Sequence, residues 1–192
     1  AFNIGSSNTL VISGDFQGYN GTTRLGTISG HSTGTSNLTF QGSGSTFDEL
    51  RFTTGLQTLT NLTLNRAGTL VLGSNLTIGS AGTLAFASTG NLQFDGQTLT
   101  VNGDITQAGS GGLASLTFAN SNLVVAGSGS LTALPFCSGC GSIELNNVFL
   151  QRTSGATYTW NSTATIHGTF NLVSGVLTHS SGLTMANLST FS

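Results

Sequence analysis

The stretch LTLNRAGTLVLGSNLTIGSAGTLAFASTGNLQFDGQTLTV, residues 62–101, decides the fold. It is a train of triplets in which two apolar residues flank a small, polar or β-branched one. These are Leu62-Thr63-Leu64, Leu70-Val71-Leu72, Leu76-Thr77-Ile78, Leu84-Ala85-Phe86, Leu92-Gln93-Phe94 and Leu99-Thr100-Val101. Alternation with period two is the mark of a short strand with one buried face. Gly, Ser and Asn lie between the triplets, where the chain has to turn. The triplets start at 62, 70, 76, 84, 92 and 99, so every third start is 22 or 23 residues further on. Three short strands per turn of about 22 residues is the pattern of a parallel β-helix, each strand pairing with its counterpart about 4.8 Å along the axis. Leu62 is then expected to stack under Leu84, Leu70 under Leu92 and Leu76 under Leu99, with the middle residues pointing out. A meander sandwich would space its strands more widely and use Asn-Gly hairpins. Only Asn20-Gly21 and Asn102-Gly103 have that form. The expected fold is all-β, a single-stranded parallel β-helix (β-solenoid) of about eight coils of roughly 22–24 residues, three short strands per coil. Its hand is taken as right-handed by prevalence.

Outward from this stretch a longer repeat overlies the coils. Thr9-Leu10-Val11-Ile12-Ser13-Gly14-Asp15 matches Thr98-Leu99-Thr100-Val101-Asn102-Gly103-Asp104, and Ser36-Asn37-Leu38-Thr39-Phe40 matches Ser121-Asn122-Leu123-Val124-Val125. Leu59-Thr60-Asn61-Leu62-Thr63-Leu64-Asn65-Arg66 matches Leu145-Asn146-Asn147-Val148-Phe149-Leu150-Gln151-Arg152. The offsets are 89, 85 and 86 residues. Residues 1–192 therefore read as one β-helix domain built of two tandem units, about 9–97 and 98–187.

Ser, Thr, Asn and Gly number 25, 31, 16 and 28, more than half of 192 residues, and there is no Lys. With four Arg, six acids and a net charge of -2 there is no basic stripe to neutralise phosphates, so nucleic acid is not an expected partner. No apolar run is long enough to span a bilayer as a helix. The Ala/Glu/Lys/Leu composition of helical bundles is absent. The start, Ala1-Phe2-Asn3, carries no signal-peptide pattern, which fits a mature secreted form or a segment of a longer chain. Scarce Lys and Glu with a close Cys pair point to an extracellular or cell-surface location.

The run Leu50-Arg51-Phe52-Thr53-Thr54-Gly55-Leu56-Gln57-Thr58-Leu59-Thr60-Asn61-Leu62-Thr63-Leu64-Asn65-Arg66 is followed by Gly68-Thr69-Leu70-Val71-Leu72-Gly73-Ser74-Asn75-Leu76-Thr77-Ile78. Together they resemble the repeats of large secreted surface proteins of Bacteroidota-type bacteria. The resemblance covers residues 36–102 clearly and 121–187 in degenerate form. It implies a parallel β-helix with an adhesin-like or surface-structural role.

Few residues suggest chemistry. Cys137-Ser138-Gly139-Cys140 is read as a disulfide closing a turn; free thiols, or metal or redox chemistry, are the alternatives, although no helix pattern and no further Cys supports the last. The acids Asp15, Asp48, Glu49, Asp95, Asp104 and Glu144, with Arg24, Arg51, Arg66 and Arg152, show no catalytic clustering, so no enzyme, metal or cofactor is expected. Arg66 and Arg152 occupy matching places after a strand and read as turn arginines bonding carbonyls, and His31, His167 and His179 as surface or loop residues. Sequons at Asn20, Asn37, Asn61, Asn75, Asn161 and Asn187 are acceptor positions for N-linked glycans in a secreted protein. Outward Thr ranks of the kind that order ice break after two rungs, at Ala85 and at Val124.

Both ends of the sequence, Asn8–Ile12 and Leu183–Ser192, look like coil strands, with one Pro and no Lys to blunt their edges. The expected partners are therefore further chain, or copies of the same protein, stacked on open solenoid ends. The expected function is a non-catalytic extracellular structural protein, either an adhesin stalk segment or a head-to-tail fibre subunit. The alternative is a carbohydrate-binding module. Phe16 and Tyr19 are its candidate surface-glycan residues, since Tyr158 and Trp160 align with inward Leu70 and Leu72 and read as core.

Overall fold

The computed structural model describes residues 1–18, 23, 25–43, 48–131, 133–137, 139–153, 156–179, 182–186 and, for the backbone alone, 190–191. Among them there is no helix; every named strand pairing is parallel, and the strands stack as a β-solenoid of about eight turns. The longest ladder joins nine strands in succession: Thr9–Ile12, Asn37–Gln41, Thr58–Asn65, Leu76–Phe86, Thr98–Val101, Asn122–Gly127, Asn147–Arg152, Thr169–Leu172 and Thr190–Phe191. Leu62 pairs with Leu84, Leu70 with Leu92 and Leu76 with Leu99, as the triplet spacing predicts.

Coil length varies more than the triplets suggest. The inward column Leu10, Leu38, Leu62, Leu84, Ile105 advances by 28, 24, 22 and 21 residues. The column Leu76, Leu99, Leu123, Val148, Phe170 advances by 23, 24, 25 and 22. The strands keep register while the connections take up the difference, because the entropy of closing a loop grows only slowly with its length. Two triplets also merge. Leu76–Phe86 is one strand that turns a corner at Gly79-Ser80-Ala81-Gly82, with Ser80 and Ala81 outside. Its first part pairs with Thr58 and Leu59 and its second with Asn61–Leu64.

Alternation along each strand builds the interior. Leu38, Leu62, Leu84, Leu99, Leu123, Val148 and Phe170 are fully buried, while the residues between them are partly exposed. Each such side chain contributes about 1.5–3 kcal/mol. Tyr158 and Trp160 are also fully buried, and the Trp160 ring lies 4.6 Å from Phe136. The second wall of the solenoid is made by Glu49–Leu50, Thr69–Leu72, Asn91–Gln93 and Leu113–Ala114. Later coils use Ile143–Leu145, Ala164–Ile166 and Leu183–Met185, with Thr157–Trp160 against Val176–His179.

One corner is built from glycine because successive backbones come too close for a side chain. A Cβ on Gly82 would meet the Thr60 carbonyl oxygen at 1.7 Å, one on Gly103 the Gly82 oxygen at 2.1 Å, and one on Gly129 the Gly103 carbonyl at 2.2 Å.

Apolar surface is uneven. The large exposed apolar side chains among the described residues are Phe2, Val11, Leu25, Leu116, Phe118, Val173 and Val176. Five of these seven fall in residues 2–25 or 173–176, at the two ends of the solenoid. Leu10, Ile12, Phe16, Leu172, Leu177, Leu183 and Met185 are only partly buried, so the apolar column runs out to both end faces.

Candidate functional site

The polar groups of greatest consequence are two arginines inside the corner. Arg152 ends, and Arg66 directly follows, an inward-alternating strand, so each stem enters the interior, and each is all but fully buried. Arg66 Nη1 donates to the Gly14 carbonyl at 2.6 Å. Arg152 Nη1 and Nη2 donate to the Asn102 and Gly103 carbonyls at 3.1 and 2.6 Å. Both arginines therefore reach back across two coils, and Gly14 and Gly103 occupy matching positions in the sequence. The Arg152 amide also donates to the Tyr158 hydroxyl at 2.9 Å. Desolvation pushes the Arg152 pKa below the ordinary arginine value, partly offset by Tyr158 and Asp104. The carbonyl-bonding role matches the sequence reading, and the structure adds that both side chains are buried. A guanidinium enters the corner because glycines leave room for it there.

Asparagines form a second internal device. Asn61 Nδ2 donates to Asn37 Oδ1 at 2.7 Å, and Asn61 Oδ1 accepts the Thr83 amide at 2.9 Å. Asn147 repeats this with Asn122 Oδ1 at 2.8 Å and the Thr169 amide at 2.8 Å. Asn75 Oδ1 accepts the Thr98 amide at 2.8 Å. The sequons at Asn37, Asn61 and Asn75 thus lie in ladder positions, Asn161 is exposed, and Asn20 and Asn187 lie outside the described residues. Replacing Asn61 with Ala strands the Thr83 amide and is expected to cost about 1–2 kcal/mol in chemical denaturation. Exposed Asn65→Ala is expected to stay within about 0.5 kcal/mol.

Cys137 and Cys140 are bonded to each other across a turn. Glu49 and Arg51 form an ion pair on one strand face. They line a shallow cleft of about 180 Å³ with Phe16, Gln17 and Leu25. The Phe16 ring is half-buried and packs edge-on against Phe40 at 5.0 Å, and Tyr19 lies outside the described residues. Glu144 Oε2 and His167 Nε2 approach to 2.7 Å, and the His167 ring stacks on Phe118 at 4.1 Å. The sequence reading missed this cluster, although a separation of 23 residues is one coil and could have flagged it. Among the described residues no group of three or more His, Cys, Asp and Glu is placed to hold a metal ion. The outward rank Thr39, Thr63 continues with Ala85 as expected, whereas Thr58, Thr77 and Thr100 form a rank of three rungs rather than two before Val124, because Thr58 starts the strand one coil earlier. No helix among the described residues is long and apolar enough to cross a membrane.

No protein-family model, curated protein or solved structure matches this chain. The functional reading therefore rests on geometry, and the most developed surfaces are the two end faces.

Proposed function

We propose that this chain is a non-catalytic extracellular structural protein whose coils continue end to end, as a segment of an adhesin stalk or as a head-to-tail fibre subunit. The observation that carries the reading is that the inward apolar column stays partly exposed on the end coils, at Leu10, Ile12 and Phe16 at one and at Leu172, Leu177 and Met185 at the other. Among the described residues Thr9–Ile12 pairs on one side only, with Asn37–Gln41, so its other edge can accept a further parallel strand. A contact between unlike ends does not close on itself and gives an open rod. Continuous strand pairing along the axis and an unbroken apolar column then carry load. The disulfide supports an oxidising compartment.

Gly14 supplies a second support. Its counterpart Gly103 is crowded by the preceding coil, whereas nothing lies within 4 Å of a Cβ on Gly14. Gly14 therefore leaves open the space that another coil would fill. Electron microscopy across a dilution series tests the reading. Filaments with an axial repeat near one rod length, roughly 40 Å for eight coils of 4.8 Å, are expected. Gly14→Val should keep the wild-type circular dichroism and give single rods. Single rods of the wild type at every concentration would overturn the fibre and leave the stalk. Turnover of a polysaccharide would overturn the non-catalytic reading.

A further inference from the structure

The cleft that Phe16, Leu25, Glu49 and Arg51 line holds a cation whose hydrogen-bonding capacity is mostly unused. Arg51 commits Nε to the Glu49 carboxylate, and the rest of its N–H fork donates to nothing among the described residues. Its side chain is 23% exposed and that of Glu49 19%, so both are set into the surface and still reach solvent. Two glycines shape the recess around them. The pair lies over Gly73 of the next coil, where a Cβ would stand 2.5 Å from the Glu49 carboxyl carbon and 2.7 Å from Arg51 Cγ. Gly18 brings the facing wall in, since a Cβ there would meet the Glu49 carbonyl oxygen at 1.7 Å. The Gly18 carbonyl accepts the Leu25 amide at 2.9 Å, and Phe16 is held edge-on against Phe40 at 5.0 Å. The cleft is thus shaped before any partner arrives, which lowers the ordering cost of binding.

We infer that this cleft binds one neutral pyranose ring of a saccharide. A sugar hydroxyl both donates and accepts, and the cleft sets the two complements side by side: the free N–H groups of Arg51 and the acceptor oxygens of Glu49. A sugar ring also presents C–H groups, for which Phe16 and the half-exposed Leu25 supply apolar wall in the same recess. Of the two aromatic residues that the sequence offers as glycan contacts, Phe16 is therefore placed in a cleft beside polar partners. The volume, about 180 Å³, lies below the roughly 300 Å³ of drug-sized pockets, so the occupant is a single ring or branch unit rather than a run of chain. Charge selects the neutral class. Arg51 is already matched by Glu49, so an acidic sugar would set its carboxylate beside that of Glu49 with no further cation among the described lining residues. The inference does not depend on filament formation; it adds a ligand to the structural role.

The test is affinity electrophoresis in native gels containing xyloglucan, galactomannan, a β-1,3-glucan or polygalacturonate, at a dilution that gives single rods. Retardation by at least one of the neutral polymers, and none by polygalacturonate, is expected. Arg51→Met keeps the stem over Gly73 and removes the donors, and should weaken binding by about tenfold or more, the loss of one charged hydrogen bond, with wild-type circular dichroism. Leu25→Ala truncates an exposed side chain, so it should leave the melting curve unchanged and still weaken binding several-fold. Leu116→Ala, equally exposed but outside the cleft, should bind as the wild type does. Electron microscopy of Arg51→Met should still give the wild-type rods or filaments, which separates failure of this site from failure of the structural reading. No retardation by any neutral polymer, equal retardation of Arg51→Met, or retardation by polygalacturonate alone would overturn the inference. Loss of filaments in Arg51→Met without saccharide binding by the wild type would overturn it too and reassign the cleft to a contact between copies.

Discussion

Arg152→Ala is expected to destabilise the protein by about 3–5 kcal/mol, from two stranded carbonyls together with a large core cavity. Three effects add. The Asn102 and Gly103 carbonyls lose charged donors at 3.1 and 2.6 Å. A cavity opens where one of the largest fully buried side chains stood. The Tyr158 hydroxyl, which accepts the Arg152 amide, then borders that cavity. Arg152→Met separates charge from volume: it fills much of the space and removes the desolvation cost of the guanidinium, but still strands both carbonyls. The expected order of stability is wild type, then Met, then Ala, read by denaturation with hydrogen exchange at residues 101–105. Equal stability of all three would mean that water satisfies the corner. Because burial lowers the Arg152 pKa, the unfolded chain holds that proton more tightly. Linkage from this group then adds stability as pH rises through the lowered folded value, in the alkaline range only. The loss in Arg152→Ala should be flat around neutrality.

Much of the architecture was legible in the sequence because it depends on a local variable, the side of a strand that each residue faces. Leu62, Leu70 and Leu76 could be paired with Leu84, Leu92 and Leu99 by counting alone, since parallel stacking turns sequence spacing into contact. What escaped depends on position across coils. Asn37 and Asn61 read as sequons because the motif Asn-Leu-Thr is what a ladder asparagine followed by an inward Leu and an outward Thr must spell. Arg66 and Arg152 read as turn arginines bonding carbonyls, but their burial and the identity of those carbonyls, two coils away, could not be read. Nothing local to either arginine announces them. The clearest available signal was the glycine in Ser13-Gly14-Asp15 and Asn102-Gly103-Asp104, the partner of each arginine. Glu144 and His167 were separable from the other scattered charges only by stepping one coil. Leu116-Thr117-Phe118 spells the same triplet as Leu38-Thr39-Phe40 and would be counted as a strand, yet it lies exposed on a turn held by the buried Ser115 and Ser121.

Gly103→Val should be as damaging as the loss of Arg152, and for a related reason. A Cβ on Gly103 would lie 2.1 Å from the Gly82 oxygen and 2.6 Å from the Gly79 oxygen, both backbone atoms. No rotamer change relieves such a clash, so the coils must part or the chain must shift along the ladder. Overpacking against yielding side chains costs about 1–3 kcal/mol, and against fixed backbone a loss of about 3 kcal/mol or more is expected. Gly14→Val is the matched control, since a Cβ there meets nothing within 4 Å, and at a dilution where the wild type is also single rods it should stay within about 0.5 kcal/mol of it. Displacing Gly103 also moves the oxygen that Arg152 bonds at 2.6 Å. The two changes share one site and should not add, so Gly103→Val with Arg152→Ala should cost clearly less than the sum of the single losses. Strict additivity would mean that the arginine is stabilised by something other than the glycine corner. In a solenoid, where each coil leans only on its neighbours, the damage should stay local. Hydrogen exchange should then accelerate in the coils around residues 79–129, while amides near Leu38 and Phe40 keep their protection.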